Sequence, residues 1–327
     1  MSRPTVVHVA AWGDVWRERA LTEVLQCLSA NLSASSDLSD ELRLVISTDD
    51  PDEFIEMGVV HRFANVSFRK VDVPPTPSES RDLLGDCELQ SLKAAHELGA
   101  DWVPLCADNV FPVGHLAGVK QQLAAGRKAV VGTGLRCSRS AFCLEESYWH
   151  LSAEQFRAAQ VGHLHPQVMD YAVGADLQQA PANVHMLVFP SETGFAVRQG
   201  QLSLLGLHAA ALDAVPDRPV VECQLLADLT DDYDRDLYFA GGDDGIMLAG
   251  LDDERVTEFG RFPATAAELV RLQRLFERTP RDRALWAWAF NHRVDYTVPD
   301  VVPACGLPAP SREREIRECN AVMEGLQ

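Results

Sequence analysis

The chain has 327 residues, 46% of them apolar and 24% charged, which is the composition of a globular protein with a sizeable core and excludes disordered and fibrous classes. Its 48 acidic residues outnumber 29 basic ones, for a formal charge of −19. Such a field repels phosphate backbones and disfavours nucleic acid as a partner. An anionic small molecule therefore needs local arginines, helix N-termini or a metal ion to overcome it.

The cysteine spacing indicates a reducing compartment, and the hydropathy indicates neither a signal peptide nor a membrane span. The eight cysteines form no CxxC pair and no disulfide-scaffold spacing, which is typical of a cytoplasmic protein. The first apolar run reaches Asp14 too soon for a signal peptide, and no later stretch supplies about 18 consecutive apolar residues. We expect a cytoplasmic protein without a membrane span.

The first 135 residues alternate between strand and helix patterns. Asp14 is expected to cap the first helix, and Gly99 to end a later one. Five stretches have the apolar content of strands: 5–11, 42–47, 66–73, 102–106 and 129–133. This alternation predicts an α/β fold with a Rossmann-like, mostly parallel sheet flanked by helices, and a functional edge at the carboxyl ends of the strands.

The pattern changes after residue 135. Ser152 and Gln155 form a capping box, and short strands are predicted at 185–189, 195–198, 202–205 and 219–222. A helix is predicted over 264–292, and its tryptophans are expected to pack in the core or between the subunits of a homo-oligomer. These patterns divide the chain into residues 1–135, residues 136–260 of the same domain, and a helical C-terminal extension (261–327).

Polar residues follow three of the predicted parallel strands, and such ends converge at one edge of an open sheet. Trp12, Thr48 and Asp50 are candidates for contacting a nucleoside. Asp108 is placed to bridge a divalent cation to a diphosphate, and Asn109 to bond a sugar hydroxyl. The alternative for each aspartate is a helix cap or a turn residue.

In segments 11–14, 100–109 and 206–208 the chain resembles the GT-A class of nucleotide-sugar glycosyltransferases, and more narrowly bacterial glycosyltransferase-like proteins of cytoplasmic sugar-transfer pathways. The resemblance implies a nucleotide diphosphate sugar as donor, an unidentified acceptor, and Mn²⁺ or Mg²⁺ at an Asp-x-Asp motif. Here Cys106 replaces the first aspartate, so only Asp108 matches, and a thiol is a poor ligand for these cations. The alternative is that Arg136, Arg139 or Arg198 neutralises the diphosphate.

The same resemblance gives a role to the Gly-Gly-Asp-Asp-Gly stretch at 241–245. Asp243 or Asp244 would act as general base on an acceptor hydroxyl, with His208 as a further catalytic candidate. Taken alone, the stretch is typical of a solvated turn.

His163, His165 and His208 are expected at the rim of the site, in contact with sugar or phosphate; the alternative for each is an ordinary hydrogen-bonded loop histidine. Alternatively, His163 and His165 would form a Zn²⁺ or Mn²⁺ site with Asp170, Asp176 and His208, and the protein would then be a metal-dependent hydrolase. The resemblance predicts a hexosyltransferase-like enzyme, with residues 1–135 as the nucleotide-sugar-binding half and residues 136–260 as the acceptor-side half. The alternatives are the hydrolase and a non-catalytic sugar-binding relative.

Overall fold

The computed structural model describes residues 3–35, 38, 41–74, 76–143, 147–165, 168, 180–181, 186–199, 202–217, 222–241, 244–253, 261–262, 279–298 and 310–326. Its strands are β1 (Thr5–Ala10), β2 (Leu42–Thr48), β3 (Val66–Lys70), β4 (Asp101–Cys106), β5 (Asn109–Val110), β6 (Ala129–Gly132), β7 (Gly134–Ser138), β8 (Ala180–Pro181), β9 (Met186–Ser191), β10 (Gly194–Gln199), β11 (Ser203–His208), β12 (Leu237–Ala240), β13 (Leu248–Asp252), β14 (Arg261–Phe262) and β15 (Val294–Thr297).

The α-helices are α1 (Asp14–Arg19), α2 (Leu25–Ala34), α3 (Pro51–Glu56), α4 (Val59–Arg62), α5 (Pro77–Glu97), α6 (His115–Ala124), α7 (Arg139–Phe142), α8 (Ala153–Gly162), α9 (Glu222–Leu229), α10 (Tyr233–Asp236), α11 (Pro280–Asn291) and α12 (Arg312–Leu326). A π-helical segment, Ala20–Val24, joins α1 to α2. Short 3₁₀ turns cover Tyr148–His150 and Ala209–Ala211. Across the described ranges, every helix is too short or too polar to cross a membrane.

A seven-stranded sheet forms the centre of the molecule, in the order β12-β6-β11-β4-β1-β2-β3. Six of its strands run in one direction and β11 runs against them. All six residues of β1 are buried, because Val7 and Val9 belong to one hydrophobic core and Val6 to another. The predicted fold class, a mostly parallel sheet flanked by helices, is confirmed.

Strand β11 enters this sheet between β4 and β6, about 100 residues after β4 along the chain, and β12 adds the edge beyond β6. The sequence predicts a strand at 202–205 but does not place it in the central sheet. The sheet therefore draws strands from both sides of residue 135, so the predicted halves share one hydrophobic framework.

A smaller sheet, in the order β5-β13-β7, continues from the central one. Strand β7 follows β6 after Thr133, and β5 follows β4 after a two-residue turn. Because both begin where a central strand ends, this small sheet adjoins the carboxyl edge. A third sheet, β15-β10-β9, packs against α11 through Trp286 and Phe290. This third sheet contains two strands of the predicted mixed β region, those predicted at 185–189 and 195–198.

The structure corrects one local prediction and describes two others only in part. Asp14 does not cap the first helix: Gly13, at φ 74°, is the N-cap residue and Asp14 is the first helical residue. The strand predicted at 219–222 lies outside the described residues up to 221, and Glu222 begins a helix whose Leu225 and Leu226 are buried. The described part of the helix predicted at 264–292 is α11, which begins at a capping box formed by Thr279 and Asp282.

Candidate functional site

The carboxyl ends of β4, β1 and β2 lie side by side. Ala10 in β1 stands opposite Cys106 in β4 and Ser47 in β2, and neighbouring strands are about 4.8 Å apart. Ligands of open α/β sheets bind beyond such ends. We call the residues that follow these three strands, together with α1, the π segment and the edge of the small sheet, the strand-end site.

An arginine joins the tips of β1 and β2. Arg17 in α1 is 8% exposed, and it donates hydrogen bonds of 2.6 Å to Asp14 and to Asp49, and a further one to Glu53 in α3. The backbone N–H of Gly13 donates to the second oxygen of Asp49 at 3.0 Å. Burial raises the pKa of Asp49, but the bonds from Arg17 and Gly13 outweigh it and hold that pKa below its ordinary value. This network fixes the relative position of the two strand ends.

The three residues predicted to contact a nucleoside differ in accessibility. Trp12 is half-buried at the end of β1. Asp50 is the N-cap of α3 and accepts from the backbone N–H groups of Asp52 and Glu53 at 3.2 and 3.4 Å. Thr48 is fully buried, and its hydroxyl accepts from the backbone N–H of Asp50 at 3.3 Å. Thr48 therefore offers no surface to a nucleoside and instead supports the turn.

Asp108 lies in the turn between β4 and β5, 4% exposed. Its Oδ2 accepts a 2.8 Å hydrogen bond from Nη1 of Arg136, which also donates to Asp252 at 3.2 Å. Burial raises the pKa of Asp108, and the charge of Arg136 opposes that shift. Asn109 supports the turn, because its Oδ1 accepts from the backbone N–H of Cys106 at 2.8 Å. The Asp-Asn pair after the buried strand thus holds an arginine and closes the turn.

The residues present do not fit the predicted Mn²⁺ or Mg²⁺ at Asp108. One oxygen of Asp108 is bound to Arg136, and the thiol of Cys106 is a poor ligand for either ion. Among the described residues, no group of three or more His, Cys, Asp or Glu side chains is arranged to hold a metal. At this position the positive charge comes from the guanidinium of Arg136.

A second set of charges lines the helix that follows β1. Arg19 donates to the backbone carbonyl of Leu251 at 3.0 Å and to Asp253 at 2.8 Å, and its guanidinium lies 4.8 Å from the centre of the Trp16 ring. These contacts tie α1 to the end of β13. Arg19 thereby brings the small sheet against the strand-end site.

Glu23 is fully buried in the π segment and accepts a 2.5 Å hydrogen bond from Nε of Arg139. Burial raises the pKa of Glu23 to about 7, and Arg139 opposes the shift. π-helical turns inside α-helices occur frequently at functional sites. Arg17, Arg19 and Glu23 were not predicted as site residues; the available signal was three charged residues within two helical turns beside an apolar stripe.

The acceptor-side candidates are separated. Asp244 is exposed after β12 and accepts from the Tyr238 hydroxyl at 2.7 Å and the Ile246 N–H at 2.9 Å. Since β12 runs parallel to β4 three strands away, Asp244 lies at the same edge, displaced laterally by about 14 Å. Asp243 lies outside the described residues. His208 stands opposite Asp101, the first residue of β4, so it lies at the other end of the sheet and is not brought together with Asp108.

The remaining histidines adjoin the strand-end site without forming the predicted metal set. His165 is buried; its Nε2 lies 3.2 Å from the carbonyl of Asp253, and its backbone N–H donates to the carbonyl of Arg136 at 2.9 Å. The ring of His163 packs edge-on against Phe142. The position of His208 at the opposite edge separates it from both, which corrects that part of the hydrolase set. Asp170 and Asp176 lie outside the described residues.

Arg198, one of the three arginines considered for the diphosphate, serves another part of the fold. It lies on β10 and donates to the backbone carbonyls of Phe290 and Asn291 at the end of α11. It therefore stabilises the third sheet, and Arg136 and Arg139 are the two that reach the strand-end site.

No family model and no curated protein matches this chain. Solved structures give limited likenesses. TarS of S. aureus is 16% identical over 41% of this chain and 22% of that one, with a TM-score of 0.31. A 4-diphosphocytidyl-2C-methyl-D-erythritol synthase from Anaerococcus prevotii is 13% identical over 42% and 56%, with a TM-score of 0.26. A mycobacterial protein is 18% identical over 88% and 75%, with a TM-score of 0.36.

This chain spans well under two thirds of the first two of those structures. With every TM-score at 0.36 or below, these likenesses carry no argument about function. The argument for function rests on the geometry of the strand-end site.

Proposed function

We propose that the chain is a glycosyltransferase that moves a sugar from a nucleotide diphosphate donor to an acceptor, and that the donor diphosphate binds at the strand-end site. One observation carries the proposal. The three adjacent strands β4, β1 and β2 end together, and beside them the Arg136 guanidinium is fixed by buried Asp108 while half of its side chain stays exposed. An oriented, accessible guanidinium is the group that best recognises phosphate.

The orientation of Arg136 leaves hydrogen-bond donors for a ligand. Within the described residues, both of its ion pairs use Nη1. Gly250 lies beneath the guanidinium: a Cβ at that position would stand 3.0 Å from Nη1 and 3.2 Å from Cδ and Cζ of Arg136. The missing side chain of Gly250 therefore makes room for Arg136 in this pose. In a chain of charge −19, the remaining N–H groups of Arg136 are the donors that the proposed diphosphate would use.

The proposed reaction depends on positioning and on stabilising the leaving group. Arg136 would stabilise negative charge as it develops on the departing diphosphate, in the place where a metal ion acts in other enzymes. Trp12, half-buried at the end of β1, would form a wall for the nucleoside. Asp244, exposed at the same edge, would accept the proton of the acceptor hydroxyl. Asp243, beside it in the chain, is the alternative base.

A thermal-shift screen of nucleoside diphosphates and their sugars tests the proposal, each run with Mn²⁺ and with EDTA. A ligand at 100 times its Kd stabilises the folded chain by about 2.7 kcal/mol. We expect stabilisation that persists in EDTA, because Arg136 replaces the cation. No shift with any nucleotide would refute the transferase, and a shift that requires Mn²⁺ would refute the role of Arg136.

A non-catalytic nucleotide-sugar-binding protein is the second candidate. The ion pair of buried Asp108 with Arg136 favours it, because that carboxylate is not available for chemistry. The two candidates differ in turnover. Release of nucleoside diphosphate from the bound nucleotide sugar, with a panel of hydroxyl acceptors, supports the enzyme. Binding without release supports the binding protein.

A further inference from the structure

Glu23 and Arg139 form an ion pair at the strand-end site that the proposed transfer does not use. The carboxylate side chain is 0% exposed and the guanidinium side chain is 29% exposed. The pair therefore has a sealed negative partner and a positive partner that remains open to solvent. An anion that enters the site from solvent can reach Arg139 but not Glu23.

The buried side of this pair is incompletely satisfied. Among the described residues, Oε2 of Glu23 has no hydrogen-bond partner, and neither has Nε of Arg19, one turn earlier in the same helix. Buried polar atoms without partners are rare in native proteins. The ionised form of Glu23 thus depends on Arg139, supported by the charge of Arg19 at longer range.

We propose that Arg139 is an anion-binding residue of the strand-end site, and that Glu23 takes up one proton from solvent when an anion engages Arg139. The proton bonds to a carboxylate oxygen of Glu23, and no other covalent bond forms or breaks. The inference rests on the proposed function in one respect: the anion meant is the diphosphate of the donor.

The reason is electrostatic. An anion that takes the hydrogen bonds of Arg139 leaves Glu23 as a buried charge whose main partner is engaged elsewhere, and a buried charge without a partner is strongly unfavourable. Protonation removes that charge. Because burial already raises the pKa of Glu23 to about 7, protonation costs little at neutral pH.

The other titratable groups that face Glu23 do not compete for this proton. Burial raises the pKa of the thiols of Cys27 and Cys143 and of the Tyr148 phenol, so these groups stay protonated at neutral pH. Asp108 is held by Arg136. Among the described residues, the groups facing Glu23 come from its own helix and α2, from α7 and its C-cap, from the 3₁₀ turn at 148–150 and from the turn after β4: Arg19, Cys27, Arg139, Cys143, Tyr148 and Asp108.

Calorimetry with trimetaphosphate tests the proposal on the full chain. This cyclic anion does not change charge near neutral pH, so any proton uptake belongs to the protein. Titrations at about pH 7.5 in buffers of different ionisation enthalpy should show uptake of about 0.8 proton, since a group of pKa about 7 is mostly ionised there. Glu23→Gln should bind the anion with no uptake, and Arg139→Gln should bind it at least about tenfold more weakly.

A second measurement uses the wild type alone, so it does not depend on whether a variant folds. Its affinity for trimetaphosphate should be constant below about pH 6.5 and fall by up to tenfold per pH unit above about pH 7.5. Absence of binding, binding without proton uptake, or uptake that persists in Glu23→Gln would each overturn the proposal. If trimetaphosphate binds with Glu23-dependent uptake while no nucleotide binds, the inference stands and the proposed function fails.

Discussion

Each end of strand β4 carries a buried aspartate that pairs with an arginine, but the two arginines have different surroundings. Asp101 begins the strand and Asp108 follows it; both are buried and both pair with an arginine, Arg3 at 3.2 Å and Arg136 at 2.8 Å. At the amino end, Arg3 also donates to the Leu123 carbonyl at 2.7 Å. At the carboxyl end, Arg136 bonds only to carboxylates among the described residues, and half of its side chain is exposed.

The difference lies in what else the arginine does. A second nitrogen of Arg3 donates to a backbone carbonyl, so Arg3 links Asp101 to the end of α6. His208 lies 3.3 Å from Asp101; burial and the charge of Arg3 lower the pKa of His208, and Asp101 opposes that shift. The carboxyl edge also carries Arg17, Arg19 and Arg139, each paired with acidic residues. A buried Asp–Arg pair is thus a structural ion pair at one end of β4, and in the proposed function it binds the diphosphate at the other.

Matched truncation of the two arginines gives the largest expected effect. Arg3→Met and Arg136→Met should each destabilise the fold by roughly 3 kcal/mol, because each leaves a buried aspartate without its cation. Only Arg136→Met should also remove nucleotide binding. Urea unfolding and thermal shift with the nucleotide identified by screening measure both quantities. Equal loss of nucleotide binding in the two variants would contradict the proposal that only the arginine at the carboxyl end of β4 binds the ligand.

The pH dependence of stability gives the next largest effect. The pKa of Glu23 rises on folding to about 7, so its protonated form favours the folded state. This contribution is fully present below about pH 4.5 and is lost as pH rises through 7, a decline of about 2 kcal/mol between about pH 5 and 8.

Glu23→Gln should remove that decline, because glutamine does not titrate. Denaturant unfolding at a series of pH values, compared between this variant and the wild type, measures the difference directly. Asp50→Ser is the control, since this change keeps a capping oxygen, does not alter a group that faces Glu23, and should leave this part of the profile unchanged. Parallel profiles for wild type and Glu23→Gln would contradict the assignment.

Truncation of a helix cap at the strand-end site has a smaller effect. Asp50→Ala should destabilise by about 1 kcal/mol, because Asp50 is the N-cap of α3. Asp50→Ser keeps a capping oxygen and should recover most of that loss. If Asp50 also contacts the nucleoside, both variants lose nucleotide affinity; if it only caps, Asp50→Ser binds as the wild type does.

The smallest expected effect comes from Gly250→Ala. Its Cβ would enter the space that Arg136 occupies, and Arg136 can shift because its side chain is flexible and half exposed. We expect a stability change below about 1 kcal/mol with a nucleotide affinity several-fold weaker. Unchanged affinity would show that the pose of Arg136 over β13 does not matter for binding.

The strands of the site were predictable, because their signal is local. The runs at β1, β2 and β4 are apolar over lengths that suit strands covered on both faces, and the structure has them within two residues of the predicted bounds. The capping box at Ser152 was predicted for the same reason and is present. Since parallel strands end together, the location of the strand-end site followed from these elements.

The chemistry of the site was less predictable, because it depends on contacts distant in sequence. Arg136 meets Asp108 only because β13 and β7 pair beyond the end of β6. Glu23 is buried in the π segment, and its partner Arg139 lies 116 residues away along the chain. The placement of β11 in the central sheet sets His208 opposite Asp101, and no local pattern specifies which strands become neighbours.

The most direct test of the central claim is a crystal structure of the chain with a nucleoside diphosphate, since it locates the phosphate groups themselves. We expect phosphate oxygens within hydrogen-bond distance of Arg136 at the carboxyl ends of β4, β1 and β2. Phosphates bound at the amino end of β4, beside Arg3 and His208, would contradict the account.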